Sequence, residues 1–432
     1  MRERLGFGQF SMAVREKRGG SNVKSRTLTC ITATMLLAAT AITVQLSAED
    51  NHQGPPIYTV LHTFTGADGG SPGFSGVIQD KEGNLYGTTI DGGDLSCTGY
   101  YGESGCGTVF KVDPTGKETV LHSFTGGADG RSPENGGLVR DKEGNLYGAT
   151  FGGGGSDNGV VFKVDPAGKE TVLYSFGYAD GAGPQGPLIL DEQGNLYGTT
   201  CCGGGSSAGV VFKVDPAGKE TVFYSFTGGA DGSSPNAPLV QDKEGNLYGT
   251  TFFGVVFKVD PAGKETVLHT LSGADGAFPY AGPAMDKEGI LYGTTNEGGS
   301  NCSVPGCGGT VWKLDPTGNF TVLYNFGGGT DGAYPYTGVV LDKEGNLYGT
   351  TWVGGDLSCA EFVGYGCGTV FKRDPTGKFT VPYNFTGGAD GGAAGTPVLD
   401  KDGNLYGNAS YGGDLSCDPG NPGCGVVFKL TP

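Results

Sequence analysis

One unit of about fifty residues is written seven times into this chain, and that periodicity constrains the fold more than any single motif. The copies open at Thr59, Thr119, Thr171, Thr221, Thr266, Thr321 and Thr380, at spacings of 60, 52, 50, 45, 55 and 59 residues. A repeat this short cannot bury its apolar face alone, so it must stack on its neighbours. The 86 Gly and 23 Pro among 432 residues reach a level common in low-complexity sequence. Here they recur with the repeat and separate runs of Val, Phe, Tyr and Thr, so they read as turns between strands. A composition only 36% hydrophobic and 17% charged excludes a long helical bundle or coiled coil.

Each copy holds four strand-like runs; in the second they are Val120–Phe124, Gly137–Arg140, Asn145–Thr150 and Val160–Val164. Their apolar residues face both ways. Four-stranded sheets packed radially around an axis satisfy that pattern, and the repeat length fits a β-propeller blade. Two turns barely vary. Asp80-Lys81-Glu82-Gly83 returns at Asp141, Asp191, Asp242, Asp286, Asp342 and Asp400, and Asp113-Pro114-Thr115-Gly116 returns at Asp165, Asp215, Asp260, Asp315 and Asp374. Asp first, Pro second and Gly fourth suit a type I turn. The second turn is missing once, where the chain stops, so the seventh blade lacks its outermost strand. The run Thr59–Phe64 has no blade in front of it. It is expected to pair with Val426–Leu430, closing the ring and leaving no open edge. The predicted fold is an all-β seven-bladed propeller over 59–432, after a leader at 1–48 and a linker at 49–58.

The units reading Gly-Asn-Leu-Tyr-Gly-Thr-Thr, then Gly-Thr-Val-Phe-Lys-Val-Asp-Pro-x-Gly, then Thr-Val-Leu-Tyr-x-Phe resemble the extracellular bacterial "GloVer" tandem repeat, from Thr59 to Pro432. The resemblance implies secretion and a propeller-like array, and brings no established activity. Members of that family carry varied C-terminal anchors; none follows Pro432, so a tether of that kind is not expected.

Basic residues from Arg2 to Arg26 precede an apolar run at Leu28–Leu46 and then Ser47-Ala48, the order of a secretory signal peptide. The alternative is a retained anchor, since the run approaches spanning length. Cleavage after Ala48 removes seven basic and two acidic residues, taking the net charge from −17 to −22. Such a surface repels phosphate backbones and anionic headgroups, which argues against nucleic acid and, once the leader is gone, against membrane as partner. A secreted or periplasmic monomer is expected.

The turns join strands one and two, and three and four, on one face; length variation falls on the other. Loops between strands two and three run 17, 8, 8, 2, 13, 16 and 15 residues, so the long ones belong to consecutive blades five, six, seven and one. Varied loops on a rigid scaffold are where binding usually resides. Each long loop is bracketed by cysteines: Cys97 with Cys106, Cys302 with Cys307, Cys359 with Cys367, and Cys417 with Cys424. In an exported chain these read as local disulfides. The adjacent Cys201 and Cys202 stay open between a vicinal disulfide and an incidental, unlinked pair.

Positions that differ between copies should mark a site. Six residues before the first turn stand Phe74, Asn135, Gln185, Asn236, Tyr280, Tyr336 and Ala394; just past strand two stand Ile90, Phe151, Cys201, Phe252, Asn296, Trp352 and Ser410. Amides and flat aromatic faces ringing a channel mouth suit a sugar or a peptide, through hydrogen bonds and stacking; the alternative is that they plug the channel. Asp68, Asp129, Asp180, Asp231, Asp275, Asp331 and Asp390 recur in every inter-blade crossing; seven carboxylates on one rim could hold calcium, but their presence in every blade points to a turn requirement. Asp94, Asp356 and Asp414, in loops that vary, are the further candidates for calcium, and no other cofactor is expected.

His62, His122 and His269 share an outer-strand position with Tyr174, Tyr224, Tyr324 and Tyr383 and read as packing residues. No nucleophile pairs with a base by local motif, and the Gly runs lack the lysine of a phosphate loop. The leading expectation is an exported, non-catalytic module binding a glycan or protein at the long-loop face. The alternatives are a metal-dependent lyase or hydrolase at the channel and a structural component of the cell envelope.

Overall fold

A computed structural model describes residues 54–100, 102–133, 137–300, 308–359, 365–417 and 422–432. The expected signal peptide and the first half of the linker lie outside these residues. The described strands form seven antiparallel sheets, each taking its three inner strands from one copy of the repeat and its outermost strand from the opening of the next, the last sheet taking it from the first copy. Blade one uses Ile78–Gln79, Leu85–Asp91, Thr108–Val112 and Glu118–Ser123. Blades two to six follow with the same order. The chain is a seven-bladed β-propeller. Among the described residues no helix is long and apolar enough to cross a membrane.

Blade seven is closed as the turn count requires. Ile57–Thr63 pairs with Val426–Thr431, Tyr58 opposite Leu430, Val60 opposite Phe428 and Thr63 opposite Val426. Asn408 and Ser410 of blade seven then donate to the carbonyls of Gly73 and Pro72 ahead of blade one, at 2.7 and 2.9 Å.

The repeated motif has a packing cause. The Gly of Leu-Tyr-Gly lies opposite the third-strand aromatic, as Gly87 does opposite Phe110, and a Cβ there would sit 2.6 Å from the Phe110 ring. The space the missing side chain leaves is filled by that ring. The ring in turn meets, edge to face, the phenylalanine ending the previous blade's outer strand: Phe64 with Phe110 at 5.0 Å, Phe124 with Phe162 at 5.1 Å, Phe176 with Phe212 at 5.0 Å. These rings are fully buried between blades. Each such pair contributes roughly 0.5–1.5 kcal/mol beyond its area. The Tyr of the motif reaches down to the turn, Tyr86 donating to Asp80 at 3.0 Å, while Asn84 donates to the same carboxylate at 2.9 Å. This ties each Asp-Lys-Glu-Gly turn to its own second strand.

The outer strands carry a register slip, between Val60 and His62 in the closing strand and at the same place in the other blades. Such a bulge re-aims the side chain that follows it. It turns His62, Tyr224, His269, Tyr324 and Tyr383 onto Asp68, Asp231, Asp275, Asp331 and Asp390 at 2.8–3.1 Å. Tyr174 bonds Asp180 in the same way. The crossing aspartates also cap their own turns, Asp68 accepting from the Thr65 amide and hydroxyl. Burial pushes the Asp68 carboxyl up, but the bonds from His62 and Thr65 outweigh it and hold it below its ordinary value.

Candidate functional site

Backbone bridges between Ala277 and Glu297, and between Ala333 and Val353, set the start of each inner strand beside the end of its second strand. The two variable sets therefore share one end of the ring, the end that bears the long loops. Tyr336 is the hub there. Its ring lies 4.5 Å from Tyr280, 4.7 Å from Trp352 and 6.0 Å from Phe74. Tyr280 meets Phe252 at 5.1 Å, and Phe252 meets Phe253 and Phe278 at 5.0 and 5.2 Å. Blades four, five, six and one thus contribute one continuous aromatic surface.

Beside it opens a cavity of about 260 Å³, walled by Phe74, Asn236, Tyr280, Tyr336 and Thr337 with Pro187, Pro238 and Pro283. Asn236 is 8% exposed and Asn296 3%, and the side-chain oxygen of each is buried without a hydrogen-bond partner. Leaving such an acceptor unmet costs about 1–3 kcal/mol. Burial, followed by the neighbouring Tyr280, pushes the Tyr336 phenol well above its ordinary value, and burial likewise raises Tyr280. Both are neutral hydroxyls at physiological pH, able to donate and accept. A larger hollow of about 880 Å³ lies on the opposite face between blades four and five, among repeated turn residues such as Asp242, Asp286 and Asp315. Its walls are mostly residues of the recurring Asp-Lys-Glu-Gly and Asp-Pro-x-Gly turns, so it is a gap between turns and not the variable surface.

Of the residues expected at the mouth, Phe74, Asn236, Tyr280 and Tyr336 line the cavity, and Phe252, Asn296 and Trp352 adjoin them. Gln185 is half-buried outside the lining, its carbonyl accepting from Thr199 at 3.2 Å. Phe151 packs against Tyr100 of the long loop in blade one, at 4.6 Å, with the Arg131 guanidinium 5.3 Å from the Tyr100 ring. Asn135 lies outside the described residues. Phe278 was not singled out by sequence, because it stands two residues before the compared position.

The crossings bring a second feature to this end. The third residue after the crossing Asp has a positive φ in every blade: Ser71, Ser132, Ser234, Phe278, Tyr334 and Ala393 at 47–53°, and Gly183 at 60°. Six of seven are not glycine, so backbone strain of about 1–3 kcal/mol each is concentrated at the mouth.

Three expected disulfides are present, Cys97–Cys106, Cys359–Cys367 and Cys417–Cys424, with Cα separations of 5.7, 5.8 and 6.1 Å. Cys302 and Cys307 lie outside the described residues. Next to each of the three, Asp94, Asp356 and Asp414 accept from the amide and hydroxyl of Ser96, Ser358 and Ser416. The serine hydroxyls, then the amides, hold these exposed carboxyls below their ordinary value. One oxygen of each expected calcium ligand is thus already engaged in its loop turn. The sulfurs of Cys201 and Cys202 lie 2.7 Å apart, and the contact with Cys201 draws the Cys202 thiol down to about 7.

Disulfides persist outside the reducing cytoplasm, which points to an extracytoplasmic protein. Fold and site together define a propeller whose variable loops and aromatic mouth share one face. By its sequence the chain belongs to the Gloeobacter/Verrucomicrobia repeat family, whose profile matches residues 91–304 and 253–432. No curated protein matches the sequence. Among solved structures, the extracellular domains of two hybrid two-component systems from B. thetaiotaomicron share the fold. One is 15% identical over 88% of this chain with a TM-score of 0.55, the other 11% identical over 86% with a TM-score of 0.52. This chain spans 41% and 39% of those structures, about two fifths of their length. A gluconolactonase from Xanthomonas campestris aligns at 13% identity over 88% of this chain and 95% of its own, with a TM-score of 0.39.

Proposed function

We propose that the chain is an exported, non-catalytic binding module that takes a terminal pyranose of a glycan into the cavity beside Tyr336. One observation carries the reading: buried amide oxygens that lack donors stand next to a continuous aromatic surface. A sugar ring meets both needs at once, its C–H face stacking on Tyr280 or Tyr336 and its hydroxyls donating to Asn236. A cavity of about 260 Å³ accepts a single ring and excludes a folded surface. The net negative charge favours neutral sugars over sulfated or uronic ones. The long, disulfide-braced loops of blades six, seven and one then wall the approach. A glycan array probed with the purified chain tests this. Binding to neutral glycans should be lost in Tyr336→Ala and Asn236→Leu. If the chain bound nothing, or both variants bound as the parent does, the cavity would be a plug, and the envelope-component reading would replace this one.

A further inference from the structure

The seven junctions between neighbouring outer strands are not equivalent. At each, the His or Tyr beyond the bulge faces the crossing Asp, and the residue opening the next outer strand lies beside them. At three junctions that residue is aromatic and stacks: Phe320 on His269 at 4.0 Å, Phe379 on Tyr324 at 3.7 Å, Tyr58 on Tyr383 at 4.1 Å. At the other four it is Glu118, Glu170, Glu220 or Glu265, each with a buried Oε1 that has no hydrogen-bond partner. A carboxylate oxygen out of water with nothing to accept from is an unfinished site.

Only two of these four junctions supply an imidazole, His62 with Glu118 and His122 with Glu170; the others have Tyr174 and Tyr224. At the first, His62 Nε2 is 3.1 Å from Asp68 Oδ2, and one ligand atom from each of His62, Asp68 and Glu118 lies within 4.8 Å of the other two. Among the described residues this is the one group of three so gathered. At the second, His122 Nε2 stands 3.4 Å from Asp129 Oδ2. One imidazole and two carboxylates form a donor set for Zn²⁺ with a water as fourth ligand. All three side chains are half-buried, so an ion can reach them from solvent.

We propose that His62, Asp68 and Glu118 form a zinc site that braces the closing strand against blade one. His62 stands on the closing strand, Asp68 on the crossing into blade one, and Glu118 on the outer strand of blade one. An ion here replaces the proton shared by His62 and Asp68 and gives Glu118 the partner it lacks. It fastens the closing strand, which pairs with Val426–Thr431, to the outer strand of blade one across the crossing that carries Asp68. The site uses none of the residues that line the cavity and does not depend on the glycan reading.

The test is titration of Zn²⁺ into the untagged chain carrying Cys201→Ser and Cys202→Ser, which removes the competing thiols, read by calorimetry and by thermal unfolding. One Zn²⁺ per chain should bind and raise the unfolding midpoint. His62→Tyr, which reproduces the residue found at the equivalent Tyr174 and Tyr224, should fold with an unchanged metal-free midpoint and bind at least tenfold more weakly. Glu118→Gln should weaken binding similarly, and His122→Tyr should not. Absence of binding, equal binding by His62→Tyr or Glu118→Gln, or loss in His122→Tyr would each overturn the assignment.

Discussion

Replacing Glu220 by phenylalanine should stabilise this protein, and more so at pH 8 than at pH 5. Burial, then the charge on Asp180, pushes the Glu220 carboxyl up to about 7 from an ordinary 4.5. A group whose folded value is raised contributes stability that is fully present below its unfolded value and is lost as pH rises through the folded one. Wild type therefore loses this contribution between about pH 4.5 and 7. The full shift corresponds to ~3 kcal/mol. Glu220 is only half-buried, and solvent screening reduces the figure to about 1 kcal/mol. Phenylalanine removes that cost and reproduces the junction where Phe379 lies 3.7 Å from Tyr324, a stack worth about 0.5–1.5 kcal/mol. The expected gain is about 2 kcal/mol at pH 8 and about 1 kcal/mol at pH 5. In a chain of this size that is an upward shift in melting midpoint of ~2 °C and ~1 °C, measured by scanning calorimetry. Glu220→Gln separates the terms, with a gain at pH 8 and none at pH 5. No gain at pH 8, or a gain independent of pH for Glu220→Gln, would refute the account of these junctions.

Gly198→Ala should destabilise by about 1–3 kcal/mol in denaturant titration, because the new Cβ would stand 2.6 Å from the Phe212 ring and 2.7 Å from Leu188. Ser234→Gly should stabilise by about 1 kcal/mol, since Ser234 holds a φ of 53° where blade three uses Gly183; an unchanged midpoint would show that the crossing is not strained. Mild reduction should speed chymotrypsin cleavage near Leu95 and Tyr100, both exposed in the loop braced by Cys97–Cys106, while β-sheet circular dichroism stays unchanged.

The ring was legible because it is periodic. A missing Asp-Pro-x-Gly turn at Pro432 and an unmatched run at Thr59 together dictate which strands must meet, and Val60 does face Phe428. Cysteines bracketing single loops were legible for the same reason. The candidate site was legible only in part. Comparing copies isolates Phe74, Asn236, Tyr280 and Tyr336, but it weights all blades equally. Distance then decides: Phe151 is taken up by Tyr100 of the neighbouring loop, an interaction between residues 51 positions apart. The junctions were not legible at all. His62 read as packing because a one-residue bulge, invisible in the strand pattern, is what turns it onto Asp68. The positive φ three residues after each crossing Asp was hidden too, since serine, phenylalanine, tyrosine and alanine carry no signal for that conformation.

The binding claim can be measured on one side chain. The chain has two tryptophans: Trp312, fully buried opposite Gly293, and Trp352 at the mouth. Trp312→Phe restores the residue that the other six blades use there and leaves Trp352 as the sole reporter. Titrating that variant with a panel of neutral mono- and oligosaccharides should produce, for at least one sugar, a saturable change in Trp352 emission that Asn236→Leu abolishes. Emission unmoved by every sugar, in a variant that unfolds as the parent does, would contradict the account.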